Sequence, residues 1–116
     1  MSEHNLYNIY KEEDTLINAA KNGQLEIIKD VITNYLTDNT SINNRNRLLL
    51  IAKVESIENN HEEVLKYLME KSPSSEEELY YLFQIALRTK NLLIIFYLFE
   101  LVKKYKPNMV LYISKI

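Results

Sequence analysis

The sequence predicts an all-α fold: an irregular stack of about three helical hairpins, ankyrin-like or α-solenoid in type, with short extra helices at both termini. Three observations predict it. One glycine and two prolines among 116 residues leave few places where a helix must stop. Apolar residues recur at i, i+3, i+4 and i+7, and no stretch alternates with period two between turn signals. The helical segments also come in pairs with short connections. A length of 116 residues, 47% hydrophobic and 26% charged, is that of one globular domain, residues 1–116, able to bury roughly two thirds of its unfolded surface.

In chain order, residues 3–11 form a short first helix with Leu6, Ile9 and Tyr10 on one side and Ser2 as cap. Asp14 or Thr15 caps a second helix, which stops at Asn22-Gly23, where glycine allows the left-handed turn that ends a helix. A third helix over about 24–37 places Leu25, Ile27, Ile28, Val31, Ile32 and Tyr35 on one face. Thr37-Asp38-Asn39-Thr40-Ser41 is a loop, and longer helical stretches follow over 43–58 and 61–71, parted by Asn59-Asn60. Ser72-Pro73-Ser74-Ser75 is the clearest boundary, because proline disfavours helix in the residue before it. Ser75 with Glu78 makes a capping box for a helix over 76–89. Lys90-Asn91 breaks it, and an apolar helix runs from 92 to about 105. Pro107 begins a last short helix, so residues 107–116 read as a C-terminal cap.

The second helices of the pairs repeat. Gln24-Leu25-Glu26-Ile27-Ile28-Lys29-Asp30-Val31-Ile32 aligns with His61–Met69 after a shift of 37 and with Asn91–Phe99 after a further 30. Ile27/Val64/Ile94, Ile28/Leu65/Ile95, Val31/Leu68/Leu98 and Ile32/Met69/Phe99 coincide. The mean period of about 33 residues is the ankyrin spacing, with units over about 14–37, 43–71 and 75–105. The run Thr15-Leu16-Ile17-Asn18-Ala19-Ala20-Lys21-Asn22-Gly23-Gln24-Leu25-Glu26-Ile27-Ile28-Lys29 resembles the helix–turn–helix core of an ankyrin repeat. Asn60-His61-Glu62-Glu63-Val64-Leu65-Lys66 and, in the third unit, Ala86 with its second helix carry less of the pattern. The family's Thr-Pro-Leu-His opening and Gly-Ala-Asp finger sequences have no counterpart here. The resemblance implies a helical repeat module that binds other proteins.

Two positions that carry charge in the first two units are apolar in the third, and at the next position aspartate gives way to tyrosine. Glu26, Lys29 and Asp30 correspond to Glu63, Lys66 and Tyr67, and then to Leu93, Phe96 and Tyr97. A terminal repeat ordinarily presents a polar outer face; here the last is the most apolar. Burying a Phe or Leu stabilises by roughly 1.5–3 kcal/mol, so a cover is expected. Either Met109, Val110, Leu111, Tyr112 and Ile113 fold back over the face, or it is a dimer or partner interface. Nine tyrosines against three phenylalanines add contact area with polar tips. The candidate protein-binding residues are therefore Tyr80, Tyr81, Leu93, Phe96 and Tyr97, with Arg88 as a polar contact.

The remaining chemistry is sparse. There is no cysteine, and the histidines are only His4 and His61, short of the three or four ligands a zinc site takes. Glu76-Glu77-Glu78 and Glu12-Glu13-Asp14 read as favourable charge at helix N-termini, and Lys103-Lys104-Tyr105-Lys106 as its complement at a C-terminus. A single glycine leaves no room for a phosphate-cradling loop. A net charge of −2 argues against nucleic acid, and the 11-residue run 92–102 falls short of the roughly 20 residues a membrane span needs. No metal, cofactor, membrane or nucleic acid is expected, and no catalytic residue. No Sec-type signal peptide is recognisable at the N-terminus, so the expected location is cytoplasmic, or a host cell reached through a secretion system that reads no such signal.

The expected function is that of an intracellular protein–protein interaction module that binds a partner and regulates or blocks it without catalysis of its own. The alternatives are a structural homodimer formed through the apolar last repeat, and a small inhibitor of a larger effector enzyme, for example one that modifies ubiquitin. Many Ile, Asn and Lys codons and the free-standing repeat suggest an AT-rich genome, as in intracellular bacteria or large DNA viruses, and hence a bacterial effector.

Overall fold

The computed structural model describes residues 3–34, 36 and 42–105. Among these there are six α-helices and no strand: α1 Glu3–Asn22, α2 Leu25–Asn34, α3 Ile42–Glu58, α4 Glu62–Lys71, α5 Glu76–Thr89 and α6 Leu92–Tyr105. They form three antiparallel hairpins stacked side by side. α1, α3 and α5 pack in one layer, and α2, α4 and α6 lie across them.

The repeat seen in the sequence is geometric as well. The three hairpin turns place Gly23, Asn60 and Lys90 in the left-handed region, at φ of 72°, 64° and 61°, at positions related by the same shifts of 37 and 30. In the first two turns the amide after the left-handed residue returns to the helix five residues back, Gln24 to the Ala19 carbonyl at 2.9 Å and His61 to that of Ser56 at 2.8 Å, the six-to-one closure of a Schellman cap. In the third, the Ala86 carbonyl instead accepts from Thr89 Oγ1 at 2.7 Å, and that hydroxyl accepts from the Asn91 amide at 3.3 Å.

Adjacent turns are stitched together. His61 Nε2 lies 3.0 Å from the Lys21 carbonyl; since a carbonyl can only accept, Nε2 carries the proton. A Cβ added at Gly23 would sit 2.5 Å from His61 Nδ1. Glycine at 23 is thus required twice, for its φ and for the close approach of the ring. Asn91 Nδ2 donates to Asn60 Oδ1 at 3.1 Å across the next junction.

Two cores lie between the three hairpins. Leu16, Ala19, Ala20, Ile28, Leu48, Ala52 and Leu68 close the first junction. Ile57, Leu65, Leu82, Phe83, Ile94, Leu98 and Val102 close the second.

Three expectations about elements need correction or limits. The short helix over 3–11 and the helix capped by Asp14 or Thr15 are one continuous α1, because Glu12-Glu13-Asp14-Thr15 contains no glycine or proline and weak helix formers cost under about 1 kcal/mol each. α2 ends at Asn34 rather than near 37; the Leu36 amide turns back to the Val31 carbonyl at 3.1 Å, and Leu36 is buried in the first core. The C-terminal cap over 107–116 lies outside the described residues. The link between α4 and α5 spans only Ser72 to Ser75, too short for a β-hairpin finger.

Candidate interaction surface

Four of the six candidate residues are exposed, two on α5 and two on α6. On α5, Leu79, Leu82, Phe83, Ile85 and Ala86 are buried. The opposite stripe carries Tyr81, 48% exposed, and Arg88, also exposed. Seven residues apart, these two share one side of the helix. Tyr80 is half-buried. On α6, Ile94, Leu98 and Val102 face inward, whereas Leu93 is 66% and Phe96 60% exposed, and Leu92 beside them is 62% exposed. α5 and α6 contribute buried residues to the same core, and Tyr81 and Arg88 lie on the side of α5 away from its buried residues.

Tyr97 belongs to neither patch. It is half-buried with Lys66 Nζ of α4 5.5 Å from its ring centroid. The same relation links the preceding pair of outer helices, where Lys29 Nζ lies 5.7 Å from the Tyr67 ring. Position 29 of α2 and its equivalent 66 of α4 thus reach forward to a tyrosine on the next outer helix, at 67 and 97. Their equivalent on α6 is Phe96.

Two more positions mark that open end. Ala20 and Ile57 are fully buried, but their equivalent Leu87 is 39% exposed; Ile28 and Leu65 are fully buried, but Ile95 is half-buried. Leu87, Leu92, Ile95 and Phe96, with the half-buried Phe99, form the apolar end of the stack. Lys103 lies over Phe99, 5.6 Å from its centroid, and pairs with Glu100 at 3.0 Å.

The structure also reveals a polar cluster that sequence reasoning missed. Lys53 is buried, 1% exposed, in the repeat position held by Leu16 in α1 and Phe83 in α5. Its ammonium donates to the Ser72 carbonyl at 2.6 Å, to Ser74 Oγ at 2.9 Å and to Glu78 Oε1 at 2.8 Å. Three protons meet three acceptors, which is how a buried ammonium is tolerated. Ser75 Oγ caps α5 by accepting from the Glu78 amide at 3.2 Å. The Glu78 carboxylate does not complete the capping box; it turns to Lys53 and accepts from Ser74. The acidic run at the start of α5 thus includes one residue that serves an ion pair. The only sign in the sequence was a lysine within the apolar register of α3.

A serine beside a lysine invites comparison with a nucleophile and its base. Here Lys53 Nζ is engaged by three acceptors and Ser74 Oγ donates to the Glu78 carboxylate rather than to Lys53. The adjoining groove, about 310 Å³, is lined by Met69, Glu70, Pro73, Ser74, Tyr97 and Leu101, among others. The Lys53 cluster is a clamp that ties the α4–α5 link to α3. The His61 ring is engaged by the Lys21 carbonyl.

No protein-family model, no curated protein and no solved structure matches the chain. Among the described residues, no helix is long and apolar enough to cross a membrane.

Proposed function

We propose that this chain is an ankyrin-like protein–protein interaction module that acts by occupying a surface of a partner protein, regulating or blocking it without catalysis of its own. The observation that supports this reading most is the exposure of Leu93 and Phe96, where the equivalent residues of the earlier hairpins are Glu26 and Glu63, and Lys29 and Lys66. Contiguous apolar side chains on a surface otherwise carrying charge mark contact sites. Aromatic anchors of this kind contribute most of the energy in protein interfaces. The stripe of α5 with Tyr81 and Arg88 offers a second, more polar contact on the other layer.

A homodimer formed through the last hairpin is favoured by the same exposed patch. One experiment separates the two readings. Wild type and Phe96→Asp are compared by light scattering and by pull-down from the cells that make the protein. A monomeric wild type that brings down a partner, and a folded Phe96→Asp that does not, is the outcome expected of an interaction module. A concentration-independent wild-type dimer that Phe96→Asp dissolves points to self-association. A folded, monomeric Phe96→Asp that keeps every partner removes the interface proposed here.

A further inference from the structure

We propose that Asn22 is a site of spontaneous chemical modification, deamidated through attack by the Gly23 amide nitrogen, and that the isoaspartyl product loosens the first hairpin junction. The reaction needs only the chain and water. The Gly23 nitrogen bonds to the Asn22 side-chain carbonyl carbon, the nitrogen's proton leaves with the carboxamide nitrogen as ammonia, and a cyclic imide remains. Water then opens that imide at either carbonyl. Opening at the main-chain carbonyl leaves the chain running through the Asn22 β-carbon, as isoaspartate; opening at the side-chain carbonyl leaves aspartate. Glycine hinders the attack least, because no Cβ crowds the nitrogen.

The fold leaves both reacting groups free. Asn22 is exposed at the C-terminal end of α1, and neither its carboxamide nor the Gly23 amide takes part in a hydrogen bond among the described residues. The bonds that close this turn are donated instead by Gln24 to the Ala19 carbonyl at 2.9 Å and by Leu25 to the Gly23 carbonyl at 3.2 Å. The equivalent pair in the second turn is engaged. Asn59 Nδ2 donates to the Glu55 carbonyl at 2.9 Å and to Glu55 Oε2 at 3.2 Å, and the Asn60 amide donates to the Ile57 carbonyl at 3.2 Å. In the third turn Thr89 stands in the place of Asn22 and has no carboxamide. The product also fits the turn badly. Isoaspartate lengthens the main chain by one carbon inside the loop that the Gln24–Ala19 bond closes. Either product adds a carboxylate where the dipole of α1 is already negative. The neighbouring Lys21 carbonyl is the one that anchors His61 at 3.0 Å, so the change falls on the contact between the first and second hairpins.

The test ages the folded, full-length chain in neutral buffer and follows the peptide containing Asn22 by mass spectrometry, with electron-transfer fragmentation to separate aspartate from isoaspartate. Wild type should accumulate isoaspartate at position 22 ahead of the other asparagines of the hairpin turns. Asn22→Gln, whose longer side chain closes a larger and slower-forming ring, should lose most of the ammonia release. Asn60→Gly gives the second turn the same Asn-Gly pair, yet Asn59 should convert there several-fold more slowly than Asn22, because Glu55 holds its carboxamide. The purified isoaspartyl form should melt below wild type, with Asn22→Asp, which adds the charge but no backbone atom, between the two. Conversion confined to chain unfolded in urea, or equal rates at Asn59 and Asn22 in the Asn60→Gly protein, overturns the assignment of the site to this fold. An isoaspartyl form that melts together with wild type overturns the loosening of the junction.

Discussion

The closed junctions and the open end are built from one repeating register, and they differ in what covers them. Ile28 and Leu65 are sealed by the next hairpin, whereas Ile95 is half open; Ala20 and Ile57 are sealed, whereas Leu87 is exposed. Apolar residues at 87 and 95 are therefore explained by the repeat, which continues its pattern up to the place where the described stack stops. Leu93 and Phe96 are not explained that way, because the repeat calls for charge there. The comparison separates inherited grease from added grease, and only the added kind argues for a partner.

Stability measurements should reproduce the split. Leu65→Ala and Ile57→Ala, at fully buried positions of the second junction, are expected to cost about 3 kcal/mol each in urea unfolding. Ile95→Ala and Leu87→Ala should cost about 1 kcal/mol, since less surface is removed and the site can refill with water. Equal losses at both ends would mean that the open end is covered in the free chain.

Next in size is the clamp at the second junction. Lys53→Ala leaves Glu78 without its counter-charge and opens the volume of three methylenes and an ammonium, at about 3 kcal/mol. Lys53→Met keeps the stem and should cost about half that. If Lys53→Met is instead the more damaging of the two, the cluster is not the polar tie described above.

The three turns rank next. Gly23→Ala should cost about 2 kcal/mol, because an alanine at φ of 72° is strained and its methyl meets the His61 ring. Lys90→Gly, at φ of 61° with no such neighbour required, should gain about 0.5–1 kcal/mol by relieving left-handed strain. Thermal unfolding of the pair checks both signs.

The smallest effects belong to the outer face. Phe96→Lys should change stability by less than about 0.5 kcal/mol while weakening partner binding. Lys66 is held above its ordinary 10.5, chiefly by its hydrogen bond to the Glu62 carboxylate and against some desolvation, with the pair at 2.6 Å. A cation raised in this way lends stability that is complete below pH 10.5 and is lost as pH rises through the higher folded value. Glu62→Gln should flatten that alkaline loss.

Much of the architecture was legible because helical periodicity and turn residues are local signals. α5 begins and ends where Ser75, Glu78 and Lys90-Asn91 place it, and Gly23 marks its turn through the left-handed backbone it allows. The break expected near Asp14 failed for a physical reason: a residue able to cap does so only where the chain leaves the helix, and nothing at 12–15 makes it leave. The exposure of Leu93 and Phe96 followed from comparing equivalent positions. The half-burial of Tyr80 and Tyr97 did not, because it depends on how neighbouring helices pack, which only the tertiary fold supplies. Lys53 stayed hidden for the same reason, since its acceptors lie 19 to 25 residues further along the chain.

The most direct test is the wetness of Phe96 in the isolated chain. Aromatic protons of specifically labelled phenylalanine and tyrosine can be broadened by a soluble paramagnetic chelate at a concentration where sedimentation shows a monomer. The Phe96 ring should relax as strongly as that of exposed Tyr81 and far more than that of buried Phe83. A Phe96 ring as protected as Phe83 in the lone monomer would mean that the molecule seals its own end, and the case for a docking surface would fall.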